Sequence, residues 1–212
     1  MLACIAAMAF LGTSAYATVL TLPLDTVFGG MDPSGPIPWL NLEFDDGGTP
    51  GDVDITITGN LLDNEYVEGI YLNMKPEFDV NSTVWTPGTK VGSFADPTVN
   101  TGVDAYAADG GGNFDIYLDF ATWPPADQFG AYDEFTINVA LPDLTSFGFV
   151  EKSVGGEFGP YFGAARIKGI DILCLPLGCA WITESGVTPF PEPATMMLLA
   201  LGSVGLLRRR RS

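Results

Sequence analysis

The side chains available for chemistry in this chain are carboxylates, because histidine is absent from all 212 residues. Its absence removes the commonest general base and the commonest transition-metal ligand. A Ser-His-Asp or Cys-His site is therefore excluded, and no G-x-S-x-G turn or phosphate-cradling glycine loop occurs. Two carboxylates facing each other across a cleft could still hydrolyse a glycosidic bond. Asp133/Glu134 and Asp115/Asp119 supply the residue types, but 26 acidic residues produce such pairs by chance. A solvated acidic face is the favoured reading, and no enzyme is expected.

Calcium suits these acids better, since it takes oxygen ligands held by flexible turns. Asp45, Asp46, Asp52 and Asp54 surround one Gly/Pro-rich loop, and Asp104, Asp109, Asn113 and Asp115 surround another. Within the second, Asp109, Asn113 and Asp115 are the candidate calcium ligands. Neither loop has the EF-hand spacing, and aspartate favours turns in any case. Plain acidic turns are the default, a calcium ion the alternative, and no other cofactor is expected.

Cys4 falls in a leader segment, which leaves Cys174 and Cys179. In an oxidising compartment a disulfide between them is favoured over free thiols, with Leu175-Pro176-Leu177-Gly178 turning the chain back. Zinc would need more ligands than that neighbourhood offers. Trp39, Tyr71, Trp85, Tyr106, Tyr117, Trp123 and Trp181 could stack on sugar rings if several shared an exposed sheet face. Apolar neighbours around most of them favour packing instead.

The elements that must position these residues begin with two targeting segments. Residues 1–17 read as a signal peptide: Leu2 to Leu11 is apolar, and Ala15-Tyr16-Ala17 is a small-x-small cleavage site. Residues 187–212 are the second. Prolines at 189, 191 and 193 hold the approach extended, so a helix can start only after Pro193. The apolar run Ala194 to Leu207 would reach about 21 Å as a helix, short of the roughly 30 Å hydrocarbon core. Arg208, Arg209, Arg210 and Arg211 follow and would stay on the cytoplasmic side.

Between them, residues 18–186 form one domain. The chain carries nine basic against 26 acidic residues, a net charge of −17. Since the last four arginines and only Glu192 of the acids lie in the tail, the domain is more acidic than the whole. Such a surface repels nucleic acid and anionic membranes. Long helical periods are absent, while strand alternation is legible at Val19–Leu24, Trp39–Phe44, Val53–Thr58, Ile70–Met74 and Val84–Thr86. It recurs at Phe114–Phe120, Phe135–Leu141, Phe147–Lys152 and Tyr161–Ile170. Frequent turn signals and one polar face per strand predict an all-β, antiparallel sandwich or jelly-roll-like domain. It would be flanked by a signal peptide and a short C-terminal hydrophobic helix.

Pro191-Glu192-Pro193, the short apolar run and the arginine cluster together resemble the PEP-CTERM sorting tail of bacterial exported proteins. The resemblance implies handling by an exosortase, a membrane protease-transpeptidase, in bacteria that make extracellular polysaccharide. It implies transient anchoring followed by release to the cell surface or extracellular matrix. Three further pieces resemble the body of many proteins with this tail: Pro38-Trp39-Leu40, the Asp109 to Asp115 approach to a strand, and Gly159 to Ala165. The expected role is structural or adhesive, in association with exopolysaccharide. The alternatives are a carbohydrate-binding module, calcium-assisted or not, and behind it a carboxylate-based glycoside hydrolase.

Overall fold

Strict alternation in the first half of the chain builds one face of the core. The computed structural model describes residues 18–62, 64–170, 179–184 and 188–189. In β2 (Leu40–Asp45), β3 (Asp52–Gly59) and β8 (Glu134–Ala140), every second side chain is buried. Leu40, Leu42, Phe44, Val53, Ile55, Ile57, Phe135, Ile137 and Val139 all point inward. Antiparallel register sets Leu42 opposite Ile57 and Ile55 opposite Ile137, so branched chains pack as direct cross-strand pairs.

The remaining strands are β1 (Val19–Gly30), β4 (Tyr66–Leu72), β5 (Val84–Val91), β6 (Thr98–Ala108) and β7 (Gly112–Asp119), followed by β9 (Gly163–Lys168), β10 (Cys179–Glu184) and β11 (Thr188–Pro189). Their hydrogen bonding runs β5-β8-β3-β2-β1-β10-β9-β4-β7-β6, with β11 also on β1. The pairing of β1 shows how one ribbon becomes two layers. Residues Val19–Leu24 pair with β2, whereas Leu24–Gly30 pair with β10. Register shifts between Leu24 and Thr26 and between Val27 and Gly29 mark the crossing. Bulges of this kind let a strand change sheets at a corner. Sheet I is β5-β8-β3-β2 and the first half of β1. Sheet II is the second half of β1, then β10-β9-β4-β7-β6. Their inward faces share one core that joins Leu22, Leu42 and Ile137 to Ile70, Leu118 and Ile167.

The opposite seam is closed by Phe129. It forms an isolated bridge with Val67 of β4 and packs edge-on to Phe94, with centroids 4.9 Å apart. Phe120, just past β7, lies 5.2 Å from it, and the Gly59 N–H donates to the Asp133 carbonyl at 3.0 Å. The two free edges are blunted. β5 carries Pro87, Lys90 and a bulge, while β6 loops out between Thr101 and Tyr106.

Three expectations need correction. Phe147–Lys152 is not a strand: Ser146–Phe149 is a 3₁₀ turn that drops Phe149 onto Phe44, centroids 4.9 Å apart. Gly148 permits the turn, since a Cβ there would lie 2.6 Å from Leu144. Phe114 does not join Ile116 and Leu118 in the core but belongs to a second cluster with Tyr71 and Trp181. At the same point β6 loops out against β7, between Thr101 and Tyr106. Asp115, expected on the polar face, is buried.

Candidate functional site

Among the described residues four carboxylates are buried, Asp46, Glu65, Asp115 and Glu184, and each is engaged by backbone amides. The Asp46 oxygens accept from the N–H groups of Thr18 (2.9 Å), Gly48 (3.1 Å) and Ser146 (3.3 Å). Glu65 accepts from Ser34 (2.6 Å) and Leu62 (3.1 Å), and Glu184 from Phe162 (2.8 Å) and Gly163 (3.2 Å). Asp115 accepts from Asp104 (2.8 Å) and Met74 (3.1 Å). Charge-assisted bonds of this sort are about twice as strong as neutral ones, and here they fix loops to the sandwich.

The candidate calcium ligands are therefore placed as follows. Asp115 faces inward and holds the β6 bulge, Asp109 sits exposed in the turn before β7, and Asn113 is exposed with its backbone paired to Val154. Among the described residues no three acidic or sulfur-bearing side chains converge as a metal site would require. Of the paired acids, Asp119 accepts from the Tyr117 hydroxyl at 3.0 Å and Asp133 from the Gly130 N–H at 2.8 Å.

The predicted aromatics separate into groups. Trp39 is buried, with its indole N–H donating to the Gly35 carbonyl at 3.0 Å. Trp85 is half-buried against the core, and Trp123 is exposed on its own loop. Tyr71, Tyr106, Tyr117 and Trp181 do come together, on the outer face of sheet II. Alternation puts them there: Trp181 lies between inward Ala180 and Ile182, and Tyr71 between Ile70 and Leu72.

Phe28 of β1 extends this row, which sequence reasoning missed because the bulges of β1 hide its parity. Across the strands run Phe28–Trp181 (6.0 Å), Trp181–Tyr71 (5.5 Å), Tyr71–Tyr117 (4.7 Å) and Tyr117–Tyr106 (5.9 Å). The Tyr71 and Tyr117 rings are stacked at 26°. Gly69 leaves room for the Tyr117 ring, whose Cε2 would be 2.3 Å from a Cβ at that position. Arg166 lies over Trp181, 5.3 Å from the ring centroid, and its Nε is 3.0 Å from Glu68. Lys168 meets the other Glu68 oxygen at 2.6 Å. Burial raises the Tyr71 phenol above its ordinary value, with Glu68 adding to the effect. Burial raises Tyr117 further, helped by the neighbouring Tyr71 and Asp119.

In this row Tyr71 and Trp181 are buried, while Phe28, Tyr106 and Tyr117 are half-buried. A sugar platform needs an open aromatic face, and here ring faces are taken up by other rings and by a guanidinium. The outer row is a second small core.

A different surface is concave. At the Phe129 seam a cleft of about 610 Å³ opens between the start of β4 and the 125–133 loop. Asn64, Glu65, Tyr66, Ser93, Gln128 and Asp133 contribute to its walls. No basic residue is among its described lining residues. Of these, sequence reasoning singled out only Asp133, as a paired acid; the rest come from four separate loops and share no spacing.

Residues 1–17, Cys174 and, of the sorting tail, all but Thr188 and Pro189 lie outside the described residues, as does the Cys179 side chain, so the disulfide expectation falls there too. Among the described residues no helix is long and apolar enough to cross a membrane. Comparison with known families finds the PEP-CTERM protein-sorting motif at residues 191–211. That stretch contains Pro191, Glu192, Pro193 and all four terminal arginines, and it supports an exported protein sorted through an exosortase at the membrane. No curated protein and no solved structure matches the chain.

Proposed function

We propose that the domain is a non-enzymatic structural or adhesive component of the cell surface or extracellular matrix, working in contact with exopolysaccharide. The observation that carries this reading is the employment of the acids. The four carboxylates buried among the described residues all hold loops through backbone amides, which supports a structural use of these acids. The sandwich has blunted edges, which suits a protein that must stay folded at high local concentration outside the cell. Its acidity keeps it soluble and off anionic lipid once released.

Export places the domain beyond the inner membrane, and removal of the tail sets it free. Intact-mass measurement on surface and matrix fractions tests this. The expected species lacks the apolar run and Arg208 to Arg211 and travels with the polysaccharide. A protein ending at Ser212 and confined to the inner membrane would overturn the reading. A carbohydrate-binding role through the outer aromatic row is disfavoured by its self-stacked rings, whereas the seam cleft keeps a binding role open.

A further inference from the structure

We propose that the cleft at the Phe129 seam binds a neutral, polyhydroxylated ligand: an uncharged saccharide end or short saccharide stretch. The inference rests on the adhesive reading above and names where contact with polysaccharide is made.

The volume, about 610 Å³, falls within the range of small-ligand sites. The segment carrying Gln128 and Gly130 is held firmly, because buried Phe129 between them packs against Phe94 and Phe120 and bridges Val67. Glycines at Gly169 in the lining and at Gly92 beside lining Ser93 let its segments approach closely. A Cβ at Gly92 would lie 1.8 Å from the Asp133 carboxylate, and one at Gly169 2.1 Å from the Asn64 carbonyl. The cleft is thus shaped before anything enters it.

The lining selects the chemistry. Without a lysine or arginine, and with Glu65 and Asp133 present, an anionic ligand is repelled. Both Glu65 oxygens are engaged by the amides of Ser34 and Leu62, and one Asp133 oxygen by that of Gly130. In contrast, the side chains of Asn64, Tyr66 and Ser93 have no partner among the described residues. Gln128 donates through Nε2 to the Thr122 carbonyl, which leaves its Oε1 to accept. Uncommitted neutral donors and acceptors of this kind match hydroxyl groups, each of which both gives and takes a hydrogen bond. An apolar ligand would leave them unpaired.

The rim adds an aromatic residue. Tyr132 sits between the lining residues Ala131 and Asp133, is 73 % exposed, and has φ of 61°. A bulky residue held in the left-handed region is uncommon, and such outliers gather at binding sites.

Titration calorimetry of the exported domain with neutral trisaccharides of glucose, galactose and mannose, and with uronic-acid trisaccharides, tests the proposal. Saturable binding of at least one neutral sugar and none of the uronates is expected. Gln128→Ala and Tyr132→Asn should each weaken it roughly tenfold. Asparagine tolerates the left-handed backbone, so that variant should keep the fold. Thr56→Val, on the far outer face of sheet I, should leave affinity unchanged. No neutral sugar bound at millimolar concentration, equal binding of uronates, or unchanged affinity in both cleft variants would each overturn the site. Matrix association that survives the two cleft variants would overturn the cleft while sparing the adhesive reading. Loss of matrix association in the unaltered protein would overturn that reading itself.

Discussion

The two outer faces of the sandwich obey the same alternation and end in opposite environments. On sheet I the outward positions of β3 and β8 hold Thr56, Thr58, Thr136 and Asn138, in contact with water. Their side chains form a light polar mesh: Thr56 to Thr136 at 3.1 Å, and Asn138 to Asp54 at 2.9 Å. On sheet II the outward positions hold Trp181, Tyr71 and Tyr117, with Gly69 and Ala164 giving the rings space. Period-two patterning identifies the inner face. It does not say whether the other face stays wet, because that depends on the neighbours each outward residue meets across strands.

Substitutions at matched outward positions would sharpen this contrast, and the largest effect is expected at Trp181. Trp181→Ala removes contacts to Phe28, Tyr71 and Arg166 and should cost about 3–5 kcal/mol by urea unfolding. A loss under about 1 kcal/mol would mean the outer row is no core. Gly69→Ala should cost about 2 kcal/mol, since Tyr117 must shift to admit the methyl. A neutral result would show the ring to be loosely held.

Alkali offers a second probe of the same face. Tyr71, Tyr117 and Tyr161 have phenols raised above the ordinary 10.0, burial being the first cause for each. In the unfolded chain they would ionise near pH 10 while the folded form keeps its protons, so stability is intact below that and falls above it. Phenolate absorbance should therefore show a late-titrating subset that ionises together with unfolding. Titration of Tyr71, Tyr117 and Tyr161 at the ordinary value would contradict the packing.

Smaller effects follow at the periphery. Glu68→Gln weakens two partly exposed ion pairs, and about 1 kcal/mol is expected, largely abolished by 1 M salt. A salt-independent loss would point to packing instead. On the opposite sheet, Thr56→Val should change stability by less than about 0.5 kcal/mol. A loss of several kcal/mol there would erase the distinction between the faces.

Much of sheet I was legible in the sequence. β2, β3 and β8 alternate without interruption, and each burial pattern follows the apolar pattern residue by residue. Sheet II was harder to read. β6, Thr98–Ala108, has no apolar alternation, because it is an edge strand exposed along much of its length. β5 was visible only at Val84–Thr86, since Pro87-Gly88 reads as a stop where the strand in fact bulges and continues. β10 was not anticipated at all. Its Ala-Trp-Ile-Thr run is short and follows a Cys/Pro/Gly-rich stretch that resembles a loop. The second half of β1 escaped because its bulges break the period at Leu24 and again at Val27. Site features fared similarly: residue types were evident, but the seam cleft exists only after four loops have been brought together.

β11 has a consequence for how the precursor stands on the bilayer. Its Thr188 and Pro189 pair with Thr21 and Leu20, so the chain runs back towards Thr18 and leaves the body where the domain begins. Only Phe190 separates Pro189 from Pro191, and two residue steps reach at most about 7 Å. The apolar run read from Ala194 starts five residue steps past Pro189, so at most about 18 Å of extended chain would separate it from the body. The end of sheet I where β11 pairs carries exposed Asp45, Asp52 and Asp143. Under the proposed release, anionic headgroups would repel that acidic end, and a cut near Glu192 would sever the tether and let the body lift away.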